Sequence, residues 1–185
     1  MPKCFRFDEG NFHFQCKLDS KRCTATNSKG GRCRNSVVIG LPYCHVHTKQ
    51  QLHLSIQDSE IHGAGKGVYA YSPTGAGRVF YKNKVICDYE GEILTSQDID
   101  DRYGGEDAVA PYAIMLSADR FLDAACRRGI AGVINHSETP NVKFYFYRGS
   151  IRVKALKNIN HGTELKLHYG PEYELQDNHS TYNCR

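Results

Sequence analysis

No tryptophan occurs in the 185 residues, and no apolar run reaches the length of a membrane span or an export-signal core. The opening decapeptide, Met1 to Gly10, is polar. The expectation is therefore a soluble, intracellular chain with no export route. That bears on the eight cysteines, which in an unexported chain point to reduced thiols or metal ligands rather than a disulfide framework. Net charge is low as well, at +4, so the chain as a whole is not an obvious polyanion binder.

What is present is unevenly spread. The length suits one ordinary domain with a small appendage. Tyrosine outnumbers phenylalanine, 12 to 8, which suits a pocket that needs hydroxyls on apolar walls. Residues 1–50 carry nine Lys/Arg against three Asp/Glu, while the remainder carries 15 against 17. The basic first part is a candidate surface for nucleic acid or an acidic partner, with a merely solubilising charge excess as the competing reading.

Five of the eight cysteines fall in that basic part. Cys23, Cys33 and Cys44 are followed by His47, and the three-residue step from Cys44 to His47 lets one helical turn aim thiolate and imidazole at one centre. Three thiolates and an imidazole make a closed tetrahedral Zn2+ shell, and the metal would supply the folding energy of so polar a segment. His45 competes as a ligand but sits too close to Cys44 for comfortable chelation. Cys4 and Cys16 have no matching pair nearby. Lys29, Arg32 and Arg34 would decorate the rim of this zinc module and could meet phosphate.

From residue 51 the pattern becomes strand-like. Leu52, Leu54 and Ile56 alternate with polar residues, and Gly63, Gly65 and Gly67 then allow close approach of the backbone to a ligand. Residues 72–78 read as a Pro/Gly loop, 85–94 as two short strands around Gly91, and 96–103 as a helical turn or two capped by Ser96. Further strands are expected at 112–116, 120–123, 142–147 and 151–155, the last two forming a hairpin around Arg148-Gly149. Residues 159–163 read as a turn, and 164–170 as one closing strand. Many short strands with almost no helix predict a compact, mainly β fold.

The organising stretch is Gly132 to Asn141, an apolar pair running into Asn135-His136-Ser137 and a turn fixed by Pro140. Alone it is weak. In company it is not: Gly65-Lys66-Gly67-Val68, Asp88-Tyr89-x-Gly91-Glu92, Tyr112, Asp123-Ala124, Asn135-His136-Ser137-x2-Pro140-Asn141 and Gly162-x-Glu164-Leu165-x3-Tyr169-Gly170 follow one another in the order of a SET domain. The chain resembles that family over about 120 residues, Leu52 to Tyr173. The resemblance implies a β-clip of several small sheets with a C-terminal pseudoknot, and S-adenosylmethionine-dependent methylation of protein lysines, a histone tail being the expected substrate, with nuclear or chromatin-associated action. It assigns Lys66, Gly67, Asn135 and His136 to cofactor binding, Tyr169 to the transferring methyl, Tyr112 to the lysine channel, and Tyr89 to support.

Two departures accompany the match. Gly132-Val133 stands where the family usually has Arg-Phe, with Arg127 and Arg128 lying earlier. Glu138 stands where many members have a zinc-ligating cysteine, and only Cys184 lies near the end, so no zinc is expected beside the site. The channel wall would then come from Tyr173, Tyr182, a second subunit or the substrate. The reading is a zinc module at 1–50, a SET domain at 51–175 and a tail at 176–185. The alternatives are an inactive SET domain serving as a chromatin scaffold, favoured by Gly132-Val133, and a zinc-dependent nucleic-acid binder resting on the first fifty residues.

Overall fold

The structure, a computed structural model, describes residues 22–37, 41–103 and 110–170, together with the backbone of 5–8 and 11–14. Cys4, Cys16, Tyr173, Tyr182, Cys184 and the 176–185 tail lie outside the described residues. Strands β1 (Phe5–Asp8) and β2 (Asn11–Phe14) form an antiparallel hairpin.

After residue 50 the alternation becomes several small sheets rather than one large one. Strands β3 (Leu54–Asp58) and β4 (Lys66–Ala70) pair antiparallel across the glycine turn. Gly65 takes φ +68 there, a left-handed conformation that favours glycine. Strands β5 (Arg78–Phe80), β6 (Val85–Asp88) and β7 (Glu92–Leu94) follow. Helix α2 (Ser96–Tyr103) is entered from Thr95, not capped by Ser96: Asp98 N–H donates to Thr95 Oγ1 at 3.2 Å and Thr95 N–H to Asp98 Oδ2 at 3.0 Å. The reciprocal bonds make a capping box one residue earlier than expected. We call the short helix His45–His47 α1.

Strands β8 (Ala113–Ser117) and β9 (Arg120–Asp123) join β7 in a three-stranded sheet of order β7-β9-β8. The expected hairpin of β11 (Val142–Tyr147) and β12 (Ser150–Ala155) is present, turned through Arg148 and Gly149, both with positive φ as a tight two-residue turn requires. Two expectations change. Residues 159–163 are not simply a turn, because Ile159–Asn160 forms β13 against β5 inside the supposed Pro/Gly loop's end. The closing segment is not one continuous strand. Glu164 bridges to Tyr69 beside one sheet, and only Lys166–Leu167, β14, pairs in another, because the chain passes between sheets at this point.

That passage is the distinctive feature. Asn135–His136 forms the two-residue strand β10, not merely a turn, following a 3-10 turn at Ile130–Val133. The five-stranded sheet runs β10-β14-β11-β12-β6, so β14 inserts between β10 and β11 although a loop of five residues, 137–141, joins those two. Ser137 N–H donates to Leu167 O and Asn141 N–H to Lys166 O, while Asn141 Nδ2 donates to Glu164 O at 2.7 Å and Asn141 Oδ1 accepts Lys166 N–H at 2.8 Å. Asn141, itself buried, therefore mimics a strand partner and lashes the loop over the last segment, giving the pseudoknot. The apolar core beneath it gathers Leu54, Val68, Ile134, Val142, Val153, Leu165 and Leu167, and Leu41, from the N-terminal part, joins the same cluster.

Candidate functional site

The crossing brings the expected cofactor residues together around one carboxylate. Glu164 is 1% exposed. Its Oε1 accepts Ser59 Oγ–H at 2.7 Å and Asn135 Nδ2–H at 3.1 Å, and its Oε2 accepts the Glu60 N–H at 3.0 Å. Burial alone would push this carboxyl up, but those donors outweigh it and hold the group below its ordinary value. Asn135 Nδ2 also faces Lys66 O at 3.1 Å and Ser59 Oγ at 3.0 Å, leaving Oδ1 as the remaining acceptor of this amide. Gly67 closes the group: a Cβ there would lie 2.2 Å from Glu164 Oε1 and 3.2 Å from Asn135 Nδ2. Lys66 turns its side chain outward to Asp58 and contributes backbone to the cradle. Ser59 and Glu164 were not singled out from the sequence. Glu164 stood inside a recognised motif with no role, and Ser59 had no local signal at all.

Tyr169 sits at the other end of the crossing. Its hydroxyl donates to Ile134 O at 2.6 Å, its N–H donates to His136 Nδ1 at 3.2 Å, and its ring meets the His136 ring edge-on at 5.3 Å. Because His136 Nδ1 is an acceptor, the neutral ring carries its proton on Nε2, which lies 2.9 Å from Glu138 Oε1. His168 is arranged alike, with Nδ1 accepting Gly170 N–H at 3.1 Å and Nε2 lying 3.5 Å from Glu138 Oε2. Glu138 is held below its ordinary value first by the His136 hydrogen bond. The three side chains lie close enough for a metal, but imidazoles whose Nδ1 accepts and whose Nε2 donates are a hydrogen-bonded set.

Tyr112 stands apart from that crossing, between the main core and the smaller cluster around Leu94, Ile99 and Tyr103. The Arg128 guanidinium lies 4.4 Å over its ring, and Tyr89 donates its hydroxyl to Tyr112 O at 2.9 Å. Tyr89 thus holds the backbone that carries Tyr112, and burial pushes its own hydroxyl up strongly. Arg128 also lies beside Gly132. It is buried, bonds Ala125 O at 2.9 Å, and lays its stem against Gly132, where an added Cβ would meet Arg128 Cβ at 3.4 Å. Beside it, Asp123 is wholly buried with Arg102 Nη1 at 2.6 Å and Tyr103 OH at 2.9 Å, fixing α2 to β9.

In the N-terminal module Cys23, Cys33, Cys44 and His47 converge, every ligand atom within 4.8 Å of the others. His47 Nδ1 lies 3.3 Å from Cys44 Sγ and 3.6 Å from Cys23 Sγ, spacings that suit the edges of a tetrahedron with bonds of about 2.0–2.3 Å. Backbone N–H groups of Asn35 and Cys44 donate to Cys33 and Cys23 sulfurs, and Asn35 Nδ2 to Cys44. Burial raises the Cys44 thiol, yet N–H donors from His47 and Asn35 bring it down to about 6. The set is compatible with zinc. His45 is exposed and outside it. Arg32, exposed on the rim, also bonds Cys23 O and Arg22 O, while Arg22 bonds Cys33 O and Arg32 O, a mutual clasp between the two ligand loops.

Among the described residues no helix is long and apolar enough to cross a membrane. The chain is 32% identical over 139 residues to histone-lysine N-methyltransferase ATXR7 of Arabidopsis thaliana, covering 71% of this chain and 9% of that protein. It is 35% identical over 99 residues to an H3 lysine-4 specific histone-lysine N-methyltransferase of Emericella nidulans, covering 50% of this chain and 8% of the relative. It thus spans less than a tenth of the length of either relative. In fold it is similar to the Chaetomium thermophilum polycomb repressive complex 2, at TM-score 0.54, 23% identity, 66% coverage of this chain and 16% of that one. The SET domain family model matches residues 65–170, more than half of the chain, from the glycine turn to the end of the threaded segment: the chain belongs to the SET-domain family.

Proposed function

We propose that this chain transfers a methyl group from S-adenosylmethionine to the side-chain amine of a lysine in a protein, a histone tail being the substrate class. The observation that carries the reading is the threaded crossing that places Gly67, Asn135, His136 and Tyr169 around one buried carboxylate and one backbone carbonyl. The support is consistent: residues assigned by resemblance at three separate points of the chain lie along the one crossing.

The residues present fit the cofactor. Gly67 brings the Lys66–Gly67 backbone against Glu164 and Asn135 more closely than a Cβ would allow, Asn135 keeps Oδ1 as an acceptor, and the backbone beside His136 follows on the same strand. When bound, S-adenosylmethionine supplies an electrophilic methyl on a sulfonium. The chain must then align the amine in line with that methyl and keep water out, so orientation supplies much of the rate. Tyr169 commits its proton to Ile134, so toward the amine it acts as an acceptor of N–H and points the nitrogen lone pair. Desolvation in an aromatic channel lowers the lysine pKa, so no strong carboxylate base is required. Tyr112, held flat beneath Arg128, is the channel wall we assign.

We further assign Zn2+ to Cys23, Cys33, Cys44 and His47 as a structural ion, and take residues 1–50 as the module, 51–175 as the catalytic domain and 176–185 as a tail. The relatives named above support a chromatin setting. The inactive-scaffold alternative rests on Gly132-Val133, and the same experiment decides between it and the enzyme reading.

The test is methyl transfer from labelled S-adenosylmethionine to core histones and to a lysine-free control, with Tyr169→Phe alongside. Incorporation into histones that falls by about a hundredfold in the variant, with cofactor binding retained, is the expected result. Wild-type protein that neither binds the cofactor nor labels any protein would return the scaffold reading.

A further inference from the structure

Charge in the catalytic part is segregated in a way the family match does not explain. After residue 50 there are 15 Lys/Arg and 17 Asp/Glu. Eight of those cations lie in two stretches, residues 78–87 and 142–157, which contain no carboxylate at all. The rest of this part is left with seven cations against 17 acids. The two stretches are not separate in space. Strand β12 pairs with β6, and the turn at Tyr81–Lys84 closes on Ala155 through Asn83 N–H to Ala155 O and Ala155 N–H to Lys84 O, both 2.9 Å.

The strand period then sorts the side chains. Val142, Phe144, Phe146, Ile151, Val153 and Ala155 form one face of the β11–β12 hairpin, with all but Phe144 and Phe146 buried. Lys143, Tyr145, Tyr147, Arg152 and Lys154 share the opposite face, with Arg148 at the turn. There the tyrosines act as supports for the cations. Lys154 Nζ lies 4.8 Å over the Tyr145 ring, and Arg148 and Arg152 lie 5.2 and 5.3 Å over Tyr147. The two rings stack at 6.1 Å and 16°. Among the described residues the one carboxylate paired with this face is Asp88, 3.3 Å from Arg152. Among the described residues no ion pair is formed there by Lys143, Arg148 or Lys154.

We propose that this face of β11 and β12 is a docking surface for the phosphate backbone of duplex DNA. Four cations spread over a rigid strand pair about 17 Å long match a rod that carries a charge every ~1.7 Å. Single-stranded nucleic acid would instead need ring faces free for base stacking, and here Tyr145 carries Lys154 and Tyr147 carries Arg148 and Arg152 over their rings. The surface is separate from the Asn135–Tyr169 crossing, so the inference does not rest on methyl transfer.

The experiment is fluorescence anisotropy of the full chain with a labelled 20-base-pair duplex and a single strand of equal length, repeated over a salt series. Lys143→Gln/Arg148→Gln/Arg152→Gln/Lys154→Gln is compared with Lys29→Gln/Arg34→Gln in the zinc module, and thermal melts confirm folding. Should the fourfold variant melt early, Lys143→Gln/Lys154→Gln replaces it. The wild type should prefer duplex, with a log–log salt slope near −4. The fourfold variant should lose at least about tenfold in affinity and most of that slope, and the module variant little. Unchanged binding in the hairpin variants, preference for the single strand, or loss confined to the module variant would each overturn the proposal.

Discussion

The Cys23–His47 cluster and the Glu164 cluster are both polar knots, and they are tied in opposite ways. The cysteine set draws its ligands from 25 consecutive residues, with little apolar surface around it beyond Ala25, Val37 and Tyr43. The Glu164 set joins groups separated by 29 to 105 residues, and the apolar core lies directly beneath it. A local knot with almost no core would rely on the Zn2+ proposed for it. A non-local knot needs the chain to be threaded correctly, and once threaded it needs no ion. Removing the ion and removing a hydrogen-bond partner should therefore have opposite regional effects.

The largest effect should come from zinc removal. Structural zinc contributes about 10 kcal/mol or more to small modules of this kind. Stripping it with a strong chelator should open residues 22–47 to protease while the core strands stay protected. The core should still soften slightly, because Leu41 is shared between the two regions. Metal analysis finding no stoichiometric zinc, or protease resistance unchanged after chelation, would break the comparison at its first half.

Gly67→Ala strikes the second half. The new Cβ would stand 2.2 Å from Glu164 Oε1, and that carboxylate cannot step aside without abandoning Ser59, Asn135 and Glu60. A loss of about 3 kcal/mol is expected in denaturant unfolding, with zinc content unaltered. A variant as stable as wild type would mean that the crossing tolerates far more slack than its distances imply.

Glu164→Gln is milder and tests the electrostatics. It would turn an amide N–H toward groups that already donate, costing about 2 kcal/mol at neutral pH. The pH dependence follows from the sign of the shift. The folded-state value lies below the ordinary 4.5, so the stabilisation is complete above that value and is lost as pH falls through and below it. Wild type should lose stability over that acid window, and the variant should lose less. Parallel curves for the two proteins would remove Glu164 from the account.

How legible these regions were from sequence follows the same division. Cys23, Cys33, Cys44 and His47 could be grouped from spacing, since a metal shell needs particular atoms at short range. The β11–β12 hairpin and the β3–β4 pair were readable because alternation and turn residues are local signals. The crossing was reached only through a family resemblance. Nothing in Ser59 announces a bond to a glutamate 105 residues away, and a strand as short as Lys166–Leu167 has too little pattern to predict. Thr95 was passed over for Ser96 for a different reason. Both residues can cap, and only the reciprocal bond from Asp98 distinguishes them.

That cap supplies the smallest effect and a control on the whole comparison. The Thr95–Asp98 box is a polar knot as local as the zinc module, but it closes four residues and carries no metal. Thr95→Ala removes the Oγ1 that accepts Asp98 N–H and donates to Asp98 Oδ2 at 2.8 Å. The cost should be about 1 kcal/mol, the ordinary worth of an N-cap. The loss should be confined to α2 in hydrogen exchange, because Arg102 and Tyr103 still anchor the far end of the helix to Asp123. If Thr95→Ala instead destabilised the crossing as strongly as Gly67→Ala, locality would not be what separates these regions. Both would then belong to one cooperative unit, held together through Asp123 and the β7-β9-β8 sheet.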